Sequence, residues 1–429
     1  MTDGGVPTKA TPSFREAVRF WARLGFVSFG GPAGQISLMH RETVEKRKWI
    51  DDDAFGRALA FCTFLPGPEA QQLATWIGWS LHGTRGAVAA GVLFVAPAAV
   101  LLLALSWVRA EFGTTPLVGA VLRGLRPVVA AIIIDACWSM ATRRLKSNLE
   151  FALAAAALVA ALTSMSFPAT VAVAAAIGWF AQSRIDGSTT RLSPPGGPPE
   201  SPFRRAGFVG LAGVLLWMMP WAFIGASREA SFFADIYLFF TQTAFVTFGG
   251  AYAVLTYVSR AAVQDFRWLT RVEAIDGLAL AETTPGPLII VLQYIGFFAG
   301  WNFTACGDAR FACGAFAAIL TTWATFLPSI WLVVLGAPHV NRIAALPRLA
   351  AAFRAIAAAV TGVVLALGLD YGRAVVFPPL GPEFDVIAFL ILAASFVALR
   401  FGRVPMGIVI AVGALAGCVD AALRSWLPS

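Results

Sequence analysis

Residues 26–31, FVSFGG, return as FVTFGG at 245–250; Trp49 returns as Trp268, and LPGP at 65–68 returns as TPGP at 284–287. All three pairs share one offset of 219 residues. Farther along, Ile77-Gly78 matches Ile295-Gly296 after a one-residue slip, and an offset of 231 brings Pro97 onto Pro328 and Arg123 onto Arg354. Chance similarity among apolar residues does not keep register across residues as rare as Pro, Trp and Arg. The chain is an internal duplication.

The medium follows from composition. The 429 residues are 58% apolar and 13% charged, about half the charge of a soluble protein, and the apolar residues cluster in runs of about 20, as membrane helices require. The fold class expected is an all-α polytopic membrane protein with two inverted-topology repeats and broken or re-entrant helices. Domain boundaries fall at 1–13 (tail), 14–183 (first repeat), 184–205 (linker), 206–226 (a connecting transmembrane helix) and 232–422 (second repeat). Each repeat holds about six apolar segments, and the linker, rich in Pro, Gly and Ser, cannot pack as a core. One unpaired crossing between six and six inverts the second repeat.

Charge distribution tests that topology. The net charge of +8 lies mostly between apolar runs, so it reads as topogenic charge and not as a nucleic-acid surface. With the N-terminus inside, residues such as Arg15, Arg85, Arg143, Lys146, Arg260, Arg267, Arg271 and Arg400 are expected inside. The loop HRETVEKRKWIDDD at 40–53 objects, because Arg41, Lys46, Arg47 and Lys48 would lie outside. Re-entrant hairpins in place of the first two spans would return this loop inside. The N-terminus lacks a cleavable signal pattern, so the first apolar element is expected to stay in the mature chain.

The chemistry concentrates where helices break. Pro66 and Pro68 remove amide hydrogens and clash with the preceding turn, which opens the helix at Gly67. Backbone groups so freed survive in hydrocarbon only against protein or a water-filled cavity. Ser28, Phe29, Gly30, Gly31 and Pro32 form a second break; Gly249 and Gly250, and Pro285, Gly286 and Pro287, are the counterparts. A lone PGP or GG favours a simple kink or close helix approach, but a duplicated pair favours four breaks converging on one central site, as in transporters with inverted repeats. New helix N-termini there suit an anion. Gln71 and Gln72 add amide donors, and Thr283 and Thr284 add hydroxyls. Glu69 and Glu282 are candidates for proton coupling, Glu69 equally as a dipole-stabilised capping acid.

Arg23, Arg123 and Arg354 are candidate anion-pathway arginines, against a reading in which they snorkel to headgroups. Arg126 also lies in an apolar run, and Asp135, alone in AAIIIDACW, is expected to pair with one of these arginines. The five Cys and three His show no metal-ligand spacing, and no catalytic or metal site and no cofactor are expected. Cys306 and Cys313 are close enough in sequence to pair in an oxidising compartment.

The stretches FVSFGGPAGQISLMHRETVEKRKWI, LPGPEAQQLATWIGWSLHGTRG, FVTFGGAYAVLTYV and GLALAETTPGPLIIVLQYIGFFAGW closely resemble the two-domain members of the chromate ion transporter superfamily, from about Phe20 to the C-terminus. The resemblance implies a bacterial inner-membrane efflux protein that exports chromate, couples to the proton gradient or membrane potential, and confers resistance. Thr256 stands where many relatives carry Pro, and Gln35 where many carry His. The implied partners are chromate or a sulfate-like oxyanion and the lipid bilayer, with no nucleic acid and a homodimer left open. Two alternatives are a sulfate or other oxyanion transporter, working in uptake, and a membrane enzyme; the latter lacks an organised nucleophile, base or metal set. The breaks themselves are unequal: Glu69, Gln71 and Gln72 face Leu288, Ile290 and Val291 in the second repeat.

Overall fold

The computed structural model describes residues 12–29, 31–163, 165–182, 203–225, 229–248, 250–340, 346–378 and 383–426. Most of the 184–205 linker lies outside them, as do Gly30 and Gly249. Regular structure among the described residues is entirely helical. In the first repeat α1 is Phe14–Val27, α2 Gly31–His40, α3 Asp52–Phe64, α4 Glu69–Phe112, α5 Pro116–Arg144, α6 Asn148–Leu162 and α7 Phe167–Gln182. Helix α8, Phe203–Gly225, connects to the second repeat. That repeat holds α9 Ala230–Val246, α10 Ala251–Arg260, α11 Arg271–Thr283, α12 Val291–Trp301, α13 Arg310–Gly336, α14 Pro347–Val376, α15 Val386–Arg400 and α16 Met406–Trp426.

The opening segments of each repeat do not cross the membrane. Arg47, just past α2, lies 3.6 Å from Glu16 in the first turn of α1, and the Trp49 ring packs 4.9 Å from Phe20. So α1 and α2 form a hairpin that dips in and returns. Helix α3 enters from the same end, and after the break at 65–68 the first leg of α4 brings His82 back to within 2.9 Å of the Pro12 carbonyl. At His82 and Gly83 the backbone leaves helical geometry, and the second leg packs antiparallel on the first, with Gly78 and Gly86 in backbone contact. Only this second leg crosses, its roughly 29 residues reaching about 44 Å.

The second repeat makes the same hairpins from the other end. Asn302, after α12, donates its side-chain N–H to the Trp268 carbonyl at 2.9 Å, and Phe303 stacks on Phe232 at the start of α9. These residues sit beside the far end of α4, where Trp107 meets Phe311 at 6.0 Å. The loop details repeat too: Lys48 and Arg267 both adopt left-handed backbone with φ of 51° and 54°, each directly before its Trp. Cys306 and Cys313 are joined by a disulfide at this far end.

The hairpins correct the expected placement of charge. The 40–53 loop shares the end of the chain's start, so Arg41, Lys46, Arg47 and Lys48 lie with Arg15, removing the objection to the charge rule. Arg260, Arg267 and Arg271 move to the far end, where Arg271 pairs with Asp370 near the end of α14. Both changes have one cause: helices of 10 to 14 residues such as α1, α2 and α10 are too short to cross hydrocarbon. Six described helices are long and apolar enough to cross: the second leg of α4, with α5, α8, α13, α14 and α16.

The two repeats interlock. Helix α14 of the second lies between α6 and α7 of the first, with Gly362 against the Ala154 backbone and Gly178 against that of Ala351. Helix α5 of the first lies reciprocally against α15 and α16, with Gly124 packed on Gly413 and Gly417. Glycine at these crossings lets helices approach without side chains between them. Neither repeat encloses its long central helix alone.

Two measurements check this fold. Cysteines placed at the exposed, symmetry-related positions 48 and 267 should react with an impermeant maleimide from opposite faces of a sealed membrane; labelling from one face would contradict the inversion. At the near end, His40 lies 2.6 Å from Asp52 and 3.2 Å from Glu45. The hydrogen bond to Asp52 chiefly raises its pKa, against partial desolvation. A raised folded-state pKa stabilises fully below the unfolded value of about 6.5 and is lost as pH rises through the folded value. His40→Gln should therefore lower the melting temperature near pH 6 and leave it unchanged well above pH 8.

Candidate functional site

The four hairpin tips meet at the centre of the molecule. The Gly67 N–H, in the second tip, donates to the Thr247 carbonyl of the third at 2.8 Å. The Gly286 N–H, in the fourth, donates to the Ser28 carbonyl of the first, also at 2.8 Å. Positions 67 and 286, like 28 and 247, differ by 219, so one bond is made twice. Each PGP tip then rests on a spanning helix of the opposite repeat, Gly67 on Ser329 of α13 and Gly286 on Ala98 of α4. Positions 329 and 98 differ by the second offset, 231.

Sequence explains the shape of the tips. Gly67 and Gly286 have φ of 122° and 99°, a conformation that residues with a Cβ rarely adopt. Flanking prolines prevent either hairpin arm from continuing through. Helices α2, α4 and α10 and the short turn Leu288–Ile290 all begin at the tips, so four N-terminal ends, with their positive dipoles and free amides, point inward. At the molecule's ends, α1, α3, α6, α11 and α15 are capped by the side chains of Ser13, Asp51, Ser147, Thr270 and Asp385. At the tips the capping positions are Pro68, Gly250 and Pro287, and no side chain caps them. Inward amides are left for something else.

A cavity of about 20 Å³ lies between the tips. Pro32 and Gln35 line it from the first tip, Gly67 to Ala70 from the second, Thr247, Gly250 and Ala251 from the third, and Pro287 to Ile289 from the fourth. The volume accommodates about one water molecule. Glu69 Oε1, on its lining, is buried without a protein partner, and on or against the tips so are Ser28 Oγ, both amide atoms of Gln71, and Ser329 Oγ. Each such atom costs about 1–3 kcal/mol if left dry.

The expected residues divide clearly. Gly31, Pro32, Pro66, Gly67, Pro68, Gly250, Pro285, Gly286 and Pro287 all belong to the converging tips; Gly30 and Gly249 fall outside the described residues. Gln71 is wholly buried beside the second tip, and Gln72 uses its amide N–H on the Pro66 carbonyl at 2.7 Å, bracing the break. Thr283 and Thr284 donate to the Leu280 and Ala281 carbonyls, closing the end of α11. Glu69 lines the cavity, with the Arg144 guanidinium in electrostatic reach. Glu282 is buried and accepts a hydrogen bond from the Tyr252 hydroxyl at 2.6 Å. Arg23, Arg123 and Arg354 are exposed side chains on α1, α5 and α14.

Several site residues escaped sequence reasoning. Thr247 acts through its carbonyl, as does Ser28 of the second break, and no side-chain motif announces that role. Gln35, in the place of an expected His, donates to the Ser28 and Gly286 carbonyls and ties two tips together. Arg144 reads as topogenic charge. Among the described residues Asp135 makes no ion pair with an arginine, and its Oδ1 is buried without a partner. Arg126 instead joins Arg109 on Asp276 of α11. With Thr256 where many relatives carry Pro, α10 is continuous, and the Thr256 hydroxyl donates to the Tyr252 carbonyl.

The chromate transporter family matches the chain over residues 15–179 and 234–418. The chain is 28% identical to a chromate transport protein of Cupriavidus metallidurans over 97% of its own length and 95% of that protein's. It is 26% identical to a probable chromate transport protein of Synechococcus elongatus, covering 95% of both chains. A chromate transport protein of Pseudomonas aeruginosa is 29% identical over 86% of this chain and 85% of its own. No solved structure matches the chain.

The tip geometry carries its own test. Gly67→Ala adds a Cβ where Ser329 Oγ and Gln72 Nε2 already sit and imposes a strained φ, at a cost of about 1–3 kcal/mol from backbone strain alone. Detergent-solubilised Gly67→Ala should melt several degrees lower than wild type. Gly207→Ala, at an open position on α8, should not.

Proposed function

Because the chain belongs to the chromate transporter family, we propose that it is a secondary transporter that carries chromate, a tetrahedral oxyanion, out of the cytoplasm through the four-tip junction. The observation that carries this reading is the convergence of uncapped helix N-termini on one central cavity lined by Glu69, with the unpartnered Ser28, Gln71 and Ser329 side chains on or against the same tips. Amides and neutral donors hold a tetrahedral anion without a full positive charge.

The contracted volume supports alternating access. A five-atom oxyanion needs several times the present space, so the tips separate to admit it. Each of the two tip-to-tip hydrogen bonds joins a near-end hairpin to a far-end hairpin, and parting the hairpins from either end exposes the same centre. Inverted repeats supply two such openings from one architecture. Glu69 couples the process to protons: a carboxylate and a dianion cannot share a cavity this small while both are charged, so anion occupancy goes with protonation of Glu69.

Orientation follows from two features. The near end gathers Arg41, Lys46, Arg47, Lys48 and Arg143, which supports reading it as the cytoplasmic end. The disulfide at the far end fits the oxidising outer side of a bacterial inner membrane. The N-terminus is then cytoplasmic.

Everted vesicles energised by respiration should accumulate labelled chromate, with excess sulfate competing because the two dianions share shape and charge. Gln71→Ala should raise KM about tenfold, the worth of one or two hydrogen bonds. Glu69→Gln should flatten the pH dependence. Absence of accumulation under any imposed gradient would sink the proposal, and sulfate accumulation without chromate would reassign the substrate.

A further inference from the structure

Away from the tips, on the far half of the molecule, Asp276 is wholly buried between two arginines of the other repeat. Its Oδ2 accepts from Arg109 Nε at 2.8 Å and from Arg126 Nη2 at 3.1 Å, and its Oδ1 from Arg126 Nε at 2.7 Å. Two guanidinium groups share this one carboxylate, and the Glu273 carboxylate one turn earlier also acts on Arg109 electrostatically. Each guanidinium carries five N–H donors, and Asp276 takes one from Arg109 and two from Arg126. Among the described residues, no other acceptor is hydrogen-bonded to either.

A hydroxyl waits beside them. Tyr294 on α12 is fully buried, its hydroxyl has no partner, and Asp276, Arg109, Glu273 and Arg126 all act on it electrostatically. Its ring is seated against Gly277, where any Cβ would collide with it. Desolvating two guanidinium groups against a single hydrogen-bonded carboxylate is costly, and so is a buried hydroxyl without a partner. A bound anion would resolve both at once.

The cluster has no mirror image. Position 57, the counterpart of Asp276 at the offset of 219, is Arg57. Asp276 also lies eight residues before Thr284, about 12 Å along α11 from the fourth tip, within one helix of the junction. The hairpin that carries this tip also carries the triad's carboxylate.

We propose that Arg109, Arg126 and Tyr294 form a second oxyanion site on the far half of the route, with Asp276 as the internal anion that holds the arginines in place and competes with the passing ion. This rests on the oxyanion reading of the junction. A tetrahedral dianion takes the free guanidinium donors and the tyrosine hydroxyl, and Asp276 keeps its affinity low enough for release. Arginine suits this role because its planar fork recognises oxyanions from several directions.

Equilibrium dialysis of the purified full chain with labelled chromate tests the assignment. Wild type should bind about two ions per chain, and Gln71→Ala should weaken one of them. Tyr294→Phe should weaken the other about tenfold while melting at or above the wild-type temperature, since it removes an unpartnered buried hydroxyl. Asp276→Asn should tighten that same ion about tenfold and slow transport. The proposal is overturned if Tyr294→Phe and Asp276→Asn both bind as wild type does. In that event a single ion that Gln71→Ala still weakens would leave the junction reading standing, whereas wild type binding no chromate would overturn both.

Discussion

Two backbone hydrogen bonds at the centre, Gly67 to Thr247 and Gly286 to Ser28, are the contacts on which the architecture turns. A helix broken at membrane depth exposes amides and carbonyls that lipid cannot satisfy. Here the breaks satisfy one another: each PGP tip donates to the FGG tip of the opposite repeat. Neither repeat could bury its own broken helices alone. The duplication is thus a requirement of the backbone, since the partner for each break exists only in the other copy.

That arrangement leaves a centre that is closed but not complete. The bonds between tips use one amide from each PGP turn, while no side chain caps α4 or α10 and the side chains of Ser28, Gln71 and Ser329 remain without protein partners. Polarity is also uneven. Glu69, Gln71 and Ser329 gather at the second tip, whereas Leu288, Ile289 and Ala98 surround the fourth. Symmetry of the chain path therefore builds the cavity, and divergence of side chains gives it a chemical face. The Arg109–Asp276–Arg126 cluster carries the same divergence outward along α11.

Much of this was legible in residue order. Pro, Gly and Trp at constant offsets reveal the duplication because those residues act locally: proline removes a donor and glycine permits a left-handed turn wherever they stand. For the same reason the PGP and FGG breaks could be marked as tips before any geometry was known. The 40–53 loop shows the limit. Its charges conflicted with a spanning first segment, and only contacts such as Arg47 with Glu16 and Trp49 with Phe20 show that the segment turns back. Arg126 shows another. Its partner is Asp276, 150 residues away, and not the nearby Asp135, because helix packing places α11 against α5.

By itself, then, the sequence determined the all-helical membrane class, the doubling and the positions of the four breaks, since these follow from hydrophobic run length and from the local geometry of Pro and Gly. Tertiary structure alone decided which breaks meet, which carbonyls receive their amides, and which carboxylate the buried arginines share. Those pairings depend on the inverted placement of two interlocked repeats, a long-range property that no local residue preference encodes.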